Sequence, residues 1–226
     1  MDPVETLNWV ALGIFAFCTV GYHLLYQMWE RARPFSTVKG KVERYRKDWV
    51  EQILASRNII LAVQTVRNTI MATTWLAGSM LLVMAFLITR GIKGTDSEVF
   101  RALGIIDHGF LTIKVDLLLA IFGFAFLMFL FTIRHLVLFN TLIGTSPELI
   151  TQVEGIEASE YLGQLINKAH IRFTFGLRST YFSIPVIAWL FSVWAFIVST
   201  LLIWLWLVLI MDTRNAISQP IARGAP

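Results

Sequence analysis

The sequence predicts an all-α integral membrane protein with four transmembrane helices, long cytoplasmic helical extensions and both termini outside. Of its 226 residues 56% are hydrophobic and 15% are charged, whereas ordinary soluble domains carry about 25% charged residues. Four apolar segments also reach the length of roughly 20 residues that crosses the hydrocarbon core as a helix. These expected spans are 7–27, 70–89, 115–133 and 182–211, within one domain of residues 1–226.

The first apolar segment, 7–27, is predicted to be an uncleaved span. Asp2 and Glu5 precede it, and no Lys or Arg does, whereas a cleavable signal has a basic n-region and a small-residue cleavage site. Cys18 is the only cysteine in the sequence and lies within this span. It can form no intramolecular disulfide, and we interpret it as a small, polarizable packing residue.

The last apolar segment, 182–211, is 30 residues long. Since roughly 20 residues suffice to span, we expect it to tilt or to project beyond the bilayer. Pro185 falls in its first turn, where a missing N–H costs nothing, so the proline fits a helix start.

The distribution of basic residues predicts the threading. Connections 28–69 and 134–181 together hold thirteen of the 19 Lys and Arg residues. By the positive-inside rule both connections are cytoplasmic and both termini are outside. The expected location is therefore a bacterial inner membrane, with the lipid bilayer as the first partner and anionic lipid as a further one.

The first connection has the pattern of an amphipathic helix. Val42, Tyr45, Trp49, Ile53 and Ile60 recur at spacings of three, four and seven. No proline interrupts residues 43–89. The simplest expectation is one long helix that rises from the cytoplasm into the second span, unless it bends near the Arg57-Asn58 pair.

The second connection begins with a helix-start signal. In the segment 145–148, TSPE, hydroxyl side chains precede a proline and a carboxylate, the order typical of an N-cap and first turn. Glu154, Glu157 and Glu160 follow at intervals of three. We expect this acidic stripe to pack against the basic stripe of the first connection.

Polar side chains lie near the cytoplasmic end of every expected span, and three interpretations are open. They can anchor the helices to lipid phosphates, or Arg67, Arg134 and Arg178 can converge on an anion or line a pore mouth. The third is ion pairing with Glu30 or Glu154. The ligand or pore-lining candidates are Arg57, Gln64, Arg67, Asn68, Arg134, His135, Arg178, Tyr181 and His23.

On a helix Arg57, Gln64 and Asn68 share one face, and Thr74 and Gly78 form a small-xxx-small step further along. Helix packing and a water-filled lumen both account for this polar stripe. Packing is the simpler of the two.

Motifs of catalysis and cofactor binding are not found in the sequence. It has no Walker-type loop, dinucleotide fingerprint, nucleophile elbow or haem-attachment motif. Asp107-His108 is at most half a metal site, since no second histidine or cysteine is near. We therefore expect no catalytic or metal residues, no cofactor and no nucleic-acid partner, and an enzyme is the least favoured class.

Three segments resemble the DUF599 family of four-span membrane proteins. Residues 21–24, 64–72 and 176–185 read GYHL, QTVRNTIMA and GLRSTYFSIP, with Trp189 and Phe191 following. The resemblance covers nearly the whole chain and implies an architecture rather than an activity. It also implies that Arg67, Asn68, Arg178, Tyr181 and Pro185 are positions that the family pattern singles out.

Two functions from different classes follow. The first is a homo-oligomeric channel or transporter-like protein with a polar, basic site at the cytoplasmic boundary. The alternative is a non-catalytic accessory or assembly subunit of a larger membrane complex, in which the long cytoplasmic helix and the tryptophan-rich fourth span bind partner proteins.

Overall fold

Helices make up the described part of the chain. The computed structural model describes the backbone of residues 3–32, 38–92 and 110–208, and their side chains except at positions 4, 23–32, 38–41 and 90–92. These ranges contain seven helices and no strand, which confirms the all-α prediction. The helices are α1 (Pro3–Ala32), α2 (Val38–Ser56), α3 (Ile59–Ile92), α4 (Leu111–Leu142), α5 (Pro147–Glu154), α6 (Ala158–Trp189) and α7 (Val193–Trp206).

Two of the described helices are long and apolar enough to cross a membrane. They are α3 over Ile59–Thr89 and α4 over Leu111–Leu142, with 31 and 32 residues. These helices contain the expected spans 70–89 and 115–133. The apolar α7 is shorter, with 14 residues.

Antiparallel packing of α4 and α6 forms the axis of the fold. Thr132 Oγ1 on α4 donates a hydrogen bond to the carbonyl of Ala169 on α6 at 3.3 Å. Far along the same pair, Lys114 Nζ lies 5.4 Å from the centroid of the Trp189 ring. We call the end of the molecule where these last two residues meet the Lys114 end.

Helix α3 flanks α4 and is antiparallel to it. Its buried residues repeat at helical spacing along one face, and Met84 lies beside Gly123 of α4, 3.7 Å from where a Cβ would stand. At the other end Ala62 and Val66 share a hydrophobic cluster with Phe139 of α4. Burial of this single face leaves the opposite face of α3 uncovered by the described chain.

The segment 182–211 is not one helix, and this prediction was wrong. Helix α6 ends at Trp189, and α7 begins after Ser192, whose backbone is extended (φ −159°, ψ 140°). The Trp189 ring stacks on Phe196 at 4.6 Å, so α7 folds back along α6 as a hairpin. Hydropathy does not register a turn between two apolar helices, which is why the sequence pattern missed it.

Pro185 lies inside α6 rather than at a helix start. The proline offers no N–H to the carbonyl of Tyr181 and weakens the helix there. Helix α6 ends one turn later, and Tyr181 packs edge-on against Trp206 of α7 with centroids 5.3 Å apart. The α7 helix therefore runs away from the Lys114 end, opposite to the direction expected for a last span that ends outside.

Helix α1 packs across the hairpin. Asn8 contacts Trp189 through a hydrogen bond, and further along Phe15 packs against Phe182 of α6 and Phe196 of α7. Its first residues therefore lie at the Lys114 end. Together α1, α6 and α7 complete the larger hydrophobic core.

The expected single helix over 43–89 is broken, and the bend near Arg57-Asn58 is confirmed. Arg57 has a positive φ of 53°, a left-handed conformation that cannot continue an α-helix. Asn58 Oδ1 then accepts a hydrogen bond from the Leu61 N–H at 3.4 Å and caps α3. This turn directs α2 onto α6 instead of extending α3.

Contacts between α2 and α6 confirm that the two connections pack together, and one ion pair joins their charged stripes. Lys47 forms a salt bridge with Glu160, and its Cα lies 3.6 Å from where a Cβ on Gly163 would stand. Asn167 Nδ2 donates to the carbonyl of Glu43 at 3.4 Å. Helix α2 therefore runs antiparallel to α6 with a close backbone approach.

A second hydrophobic core lies at the end opposite Lys114. We call this region the base: α2, α5, residues 158–170 of α6 and the adjoining ends of α3 and α4. Helix α5 begins as predicted, with Ser146 at the N-cap position and Pro147 at the first helical position, and ends at Gly155 with φ 71°. The buried apolar residues of the base are Val50, Ile53, Ala62, Val66, Leu136, Phe139, Ile143, Ile150, Ala158, Leu162, Leu165, Ile166 and Ala169.

Candidate functional site

The polar candidates of α3 lie on its uncovered face. Gln64, Arg67 and Asn68 are all exposed, because the residues that pack on α4 lie on the opposite side of the helix. Among the described residues none of the three has a hydrogen-bond or ion-pair partner. Arg57 is exposed as well, and it forms the α2–α3 turn rather than a continuation of the α3 face.

His135 is hydrogen-bonded to Arg172. The guanidinium Nη1 donates to His135 Nε2 at 2.6 Å, and His135 Nδ1 lies 2.7 Å from the carbonyl oxygen of Phe131. A guanidinium has no acceptor, so the His135 ring accepts this hydrogen bond. Both ring nitrogens are engaged, and His135 ties α4 to α6.

Arg178 is buried, unlike the other two arginines of the expected cluster. It is 7% exposed, and its guanidinium carbon lies 5.2 Å from the centroid of the Tyr22 ring on α1, a cation–π distance. Tyr181, one turn further along α6, packs on Trp206. His23 lies in α1, but its side chain is outside the described residues.

The structure does not bring Arg67, Arg134 and Arg178 together. With Met84 beside Gly123, the antiparallel α3 places Arg67 level with about residue 140 of α4. The α4–α6 contacts place Arg178 level with about residue 125, so along the helix axes it lies about 20 Å from Arg67. Arg134 lies between these levels and is exposed. A single anion cannot contact all three.

No metal-binding cluster is found among the described side chains, where no three His, Cys, Asp or Glu residues stand close enough to hold an ion. Asp107 and His108 lie outside the described residues.

One family model matches residues 10–216, and its description is "Protein of unknown function, DUF599". The chain belongs to the DUF599 family. The match includes the three segments that carry the resemblance. No curated protein and no solved structure matches the chain significantly. The function of this DUF599 protein is therefore argued from its own residues.

The DUF599 chain has a polar contact between α2 and α6 that the sequence did not point to. Arg46 Nη1 donates to Asn167 Oδ1 at 3.4 Å, and His170 Nδ1 donates to the carbonyl of Ile166 at 2.9 Å. Burial lowers the pKa of His170 below its ordinary 6.5, and the charge of Arg46 lowers it further. Burial also lowers the pKa of Arg46, which Glu43 partly opposes. The contact favours a neutral His170.

A second contact that sequence reasoning missed lies at the Lys114 end. Asn8 is fully buried and its Oδ1 accepts a 2.7 Å hydrogen bond from Trp189 Nε1. Lys114 is only 1% exposed and packs by the same indole. The sequence did contain a signal for this contact. Asn8 is an amide within the first apolar segment, and polar residues in such segments usually have a specific partner.

An uncovered apolar stripe lies on the base. Leu149 and Val153, one turn apart on α5, are 49% and 71% exposed, and Ile156 just beyond is 39% exposed. Ile150, on the other face of α5, is buried in the base core. Exposed carboxylates border the stripe, at Glu148, Glu154 and Glu157.

Proposed function

We propose that this DUF599 protein is a multi-pass membrane protein that acts as a non-catalytic assembly subunit, whose base binds a partner protein through the α5 stripe. The exposed, acid-bordered apolar stripe of Leu149, Val153 and Ile156 carries this proposal. Contiguous apolar surface rimmed by polar residues is typical of protein interaction sites.

The proposed bilayer position follows from helix lengths. On α4, Lys114 and Arg134 are separated by about 30 Å, the thickness of the hydrocarbon core. Leu142 then projects about 12 Å further, and α5 follows it. The α5 stripe is therefore placed beyond the hydrocarbon, where lipid tails do not cover it.

The proposed threading has five passes rather than four. Helices α1, α3, α4, the part of α6 beyond Arg172, and α7 each cross the bilayer. The base holds most of the basic residues outside the spans, which supports a cytoplasmic base in a bacterial inner membrane. The N-terminus is then outside and the C-terminal tail inside.

Polar side chains inside the bundle favour an assembly subunit over a protein that conducts ions through the interior of a single copy. Thr73 and Thr200 each donate to a carbonyl one turn earlier in their own helix, both at 2.7 Å. Thr132 does the same at 2.8 Å, and Ser183 Oγ donates to the Thr180 carbonyl at 2.7 Å. A hydroxyl that donates its proton to a carbonyl has no proton left for a passing anion. We therefore expect an anion-conducting route to lie between copies rather than within one.

The carboxylates that border the α5 stripe indicate the chemistry of the partner surface. Glu148, Glu154 and Glu157 are exposed around the apolar stripe, so the complementary surface has an apolar face flanked by Lys or Arg. A basic amphipathic helix has this chemistry and fits a helical surface by its i, i+3 and i+4 side chains.

Site-specific photo-crosslinking in native membranes tests this function. A photoreactive phenylalanine replaces Val153, and in the control it replaces Gln164, an exposed position on α6. We expect a hetero-crosslink at position 153 only, to a basic amphipathic segment identified by mass spectrometry. Equal crosslinking at both positions, or crosslinks only to lipid or to the chain itself, would contradict the proposal.

A channel or transporter-like homo-oligomer is the second candidate. Gln64, Arg67 and Asn68 of α3 favour it, since they are exposed, have no side-chain partner within the described ranges, and can line a route between copies. Reconstituted protein should then conduct ions, and Arg67→Ala or Asn68→Leu should alter the flux. Liposomes that contain the native protein and show no flux of common ions would contradict this candidate.

A further inference from the structure

Two basic side chains stand together where α4 and α6 meet at the proposed cytoplasmic boundary. Arg172 is half-buried, and Lys168, one turn before it on α6, is exposed. Residues four apart share a helix face, so both cations lie on the same side of α6. The Arg172 guanidinium contacts His135 of α4, the residue next to Arg134 at that boundary. We call Lys168, Arg172 and His135 the boundary site.

Arg172 is oriented by contacts that leave most of its donors available. Its guanidinium carbon lies 5.8 Å from the centroid of the Phe131 ring, a cation–π distance. Both contacts with the His135 ring come from Nη1. A guanidinium has five N–H donors in a planar fork, so the three on Nε and Nη2 have no partner within the described ranges. The fork is held in place and can still bind an acceptor.

Neither α4 nor α6 supplies an acid to the boundary site. Residues 117–142 of α4 and 161–189 of α6 contain no Asp or Glu. Glu160, the carboxylate closest in sequence to Lys168, forms its salt bridge with α2 instead. Within the described ranges Arg172 and Lys168 have no carboxylate partner. Two positive charges therefore lie side by side without compensation from these helices.

The acids of α2 are on the far side of α6. Helix α2 packs on Gly163 and Asn167. Arg172 is nine residues from Gly163, which is about two and a half helical turns, so it lies on the opposite side of the helix. The boundary site faces a side that α2 does not cover, where the neighbouring Phe131 is 40% exposed.

We propose that the boundary site binds the phosphate of an anionic phospholipid in the cytoplasmic leaflet. The proposal rests on the proposed membrane position, which puts the guanidinium at the edge of the hydrocarbon core, where the lipid headgroups begin. The Arg172 fork donates to two phosphate oxygens. Lys168, one turn nearer the base, adds a second charge on the water side of the phosphate.

The surroundings favour a lipid over a free phosphate ion. On the hydrocarbon side of Arg172, the exposed Phe131 offers apolar surface to an acyl chain, and a free ion makes no use of it. Two uncompensated cations also favour a headgroup with net negative charge. Phosphatidylglycerol has such a headgroup, whereas the choline cation of phosphatidylcholine offsets its phosphate.

Native mass spectrometry of the full-length protein in detergent tests this site. The protein is titrated with phosphatidylglycerol and, for comparison, with phosphatidylcholine. We expect tighter binding of phosphatidylglycerol, and Arg172→Gln should weaken it by about tenfold, the loss typical of one hydrogen bond to a charged group. Lys168→Gln should weaken it in the same direction. Because Lys168 is exposed, this second variant tests the site without disturbing the contact between α4 and α6.

Arg67→Gln is the matched control. It also removes one arginine near the cytoplasmic boundary, but Arg67 lies on the uncovered face of α3 and is exposed. We expect it to leave the binding of phosphatidylglycerol unchanged. An equal loss in Arg67→Gln and Arg172→Gln would show general attraction to basic residues and would overturn the proposal. Equal affinity of the unsubstituted protein for the two lipids would overturn it as well.

Sodium phosphate distinguishes the two sources of a phosphate group. We expect phosphatidylglycerol to stay bound in excess sodium phosphate, since the ion cannot replace the acyl-chain contacts. Loss of the lipid under these conditions would assign the site to free phosphate and overturn the lipid as its ligand. The photo-crosslinking at Val153 does not involve the boundary site, so the assembly proposal and the lipid site can fail separately.

Discussion

The indole N–H of Trp189 donates a 2.7 Å hydrogen bond to the side-chain oxygen of Asn8, and the two residues are separated by 181 positions in sequence. Both are 0% exposed. The bond joins the start of α1 to the α6–α7 hairpin, where Trp189 also stacks on Phe196. It fixes where the hairpin closes.

Replacing Asn8 by alanine should destabilise the bundle. The Trp189 N–H would lose its acceptor in a buried site, which costs about 1 to 3 kcal/mol. The thermal midpoint of the purified protein measures this loss. In the double variant Asn8→Ala with Trp189→Phe no unpaired N–H remains, so the two effects should be less than additive. Full additivity would show that the bond contributes nothing.

Gly176→Ala should separate α4 from α6. The added Cβ would lie 2.6 Å from the Phe129 ring, and relief of such overpacking costs about 1 to 3 kcal/mol. Gly13→Ala is the matched control, since its Cβ would meet no atom within 4 Å. Thermal unfolding should show a lower midpoint for the first variant only. Equal midpoints would contradict the close approach of these helices.

Acidification should destabilise the base through His170. Its pKa is lowered in the folded protein from the ordinary 6.5, so the unfolded chain binds the proton more readily, and stability is lost as the pH falls through about 6.5. The pKa of Glu160 is also lowered in the folded protein, but this changes the stability only below the ordinary value of 4.5. The thermal midpoint should therefore fall between pH 7.5 and 5.5, and less so in His170→Gln. An equal fall in both proteins would exclude His170 as the cause.

Arg57→Gly should stabilise the α2–α3 turn. Arg57 holds a φ of 53°, which costs a residue with a Cβ about 1 to 2 kcal/mol and costs glycine little. A higher thermal midpoint than that of Arg57→Ala is the expected result. If Arg57→Gly lowers the midpoint, the arginine side chain contributes contacts that outweigh the backbone cost.

Local signals predicted individual helices well and their connections less well. The apolar segments 70–89 and 115–133 and the start of α5 at Ser146-Pro147 are seen as expected. The hairpin at Ser192 was not, because a turn between two apolar helices leaves hydropathy unchanged. The turn at Arg57 depends on α2 finding a buried face on α6, which is a tertiary preference that periodicity does not encode.

The candidate site could likewise be predicted only in part from the sequence. Sequence placed Arg67, Arg134 and Arg178 at one boundary, but helix register separates them, and Arg178 is buried beside Tyr22. The sequence predicted a shared face for Gln64 and Asn68 on α3. Only the packing of α3 on α4 showed that the described chain leaves this face exposed.

Cysteine accessibility from outside the cell tests whether the base and the α6–α7 turn lie on opposite sides of a bilayer. In a Cys18→Ala background, Ser192→Cys and Val153→Cys are each treated in intact cells with a maleimide that does not cross membranes, together with Ala222→Cys in the tail. We expect labelling of Ser192→Cys in intact cells and of the other two only after lysis. Labelling of Val153→Cys or Ala222→Cys from outside would contradict it.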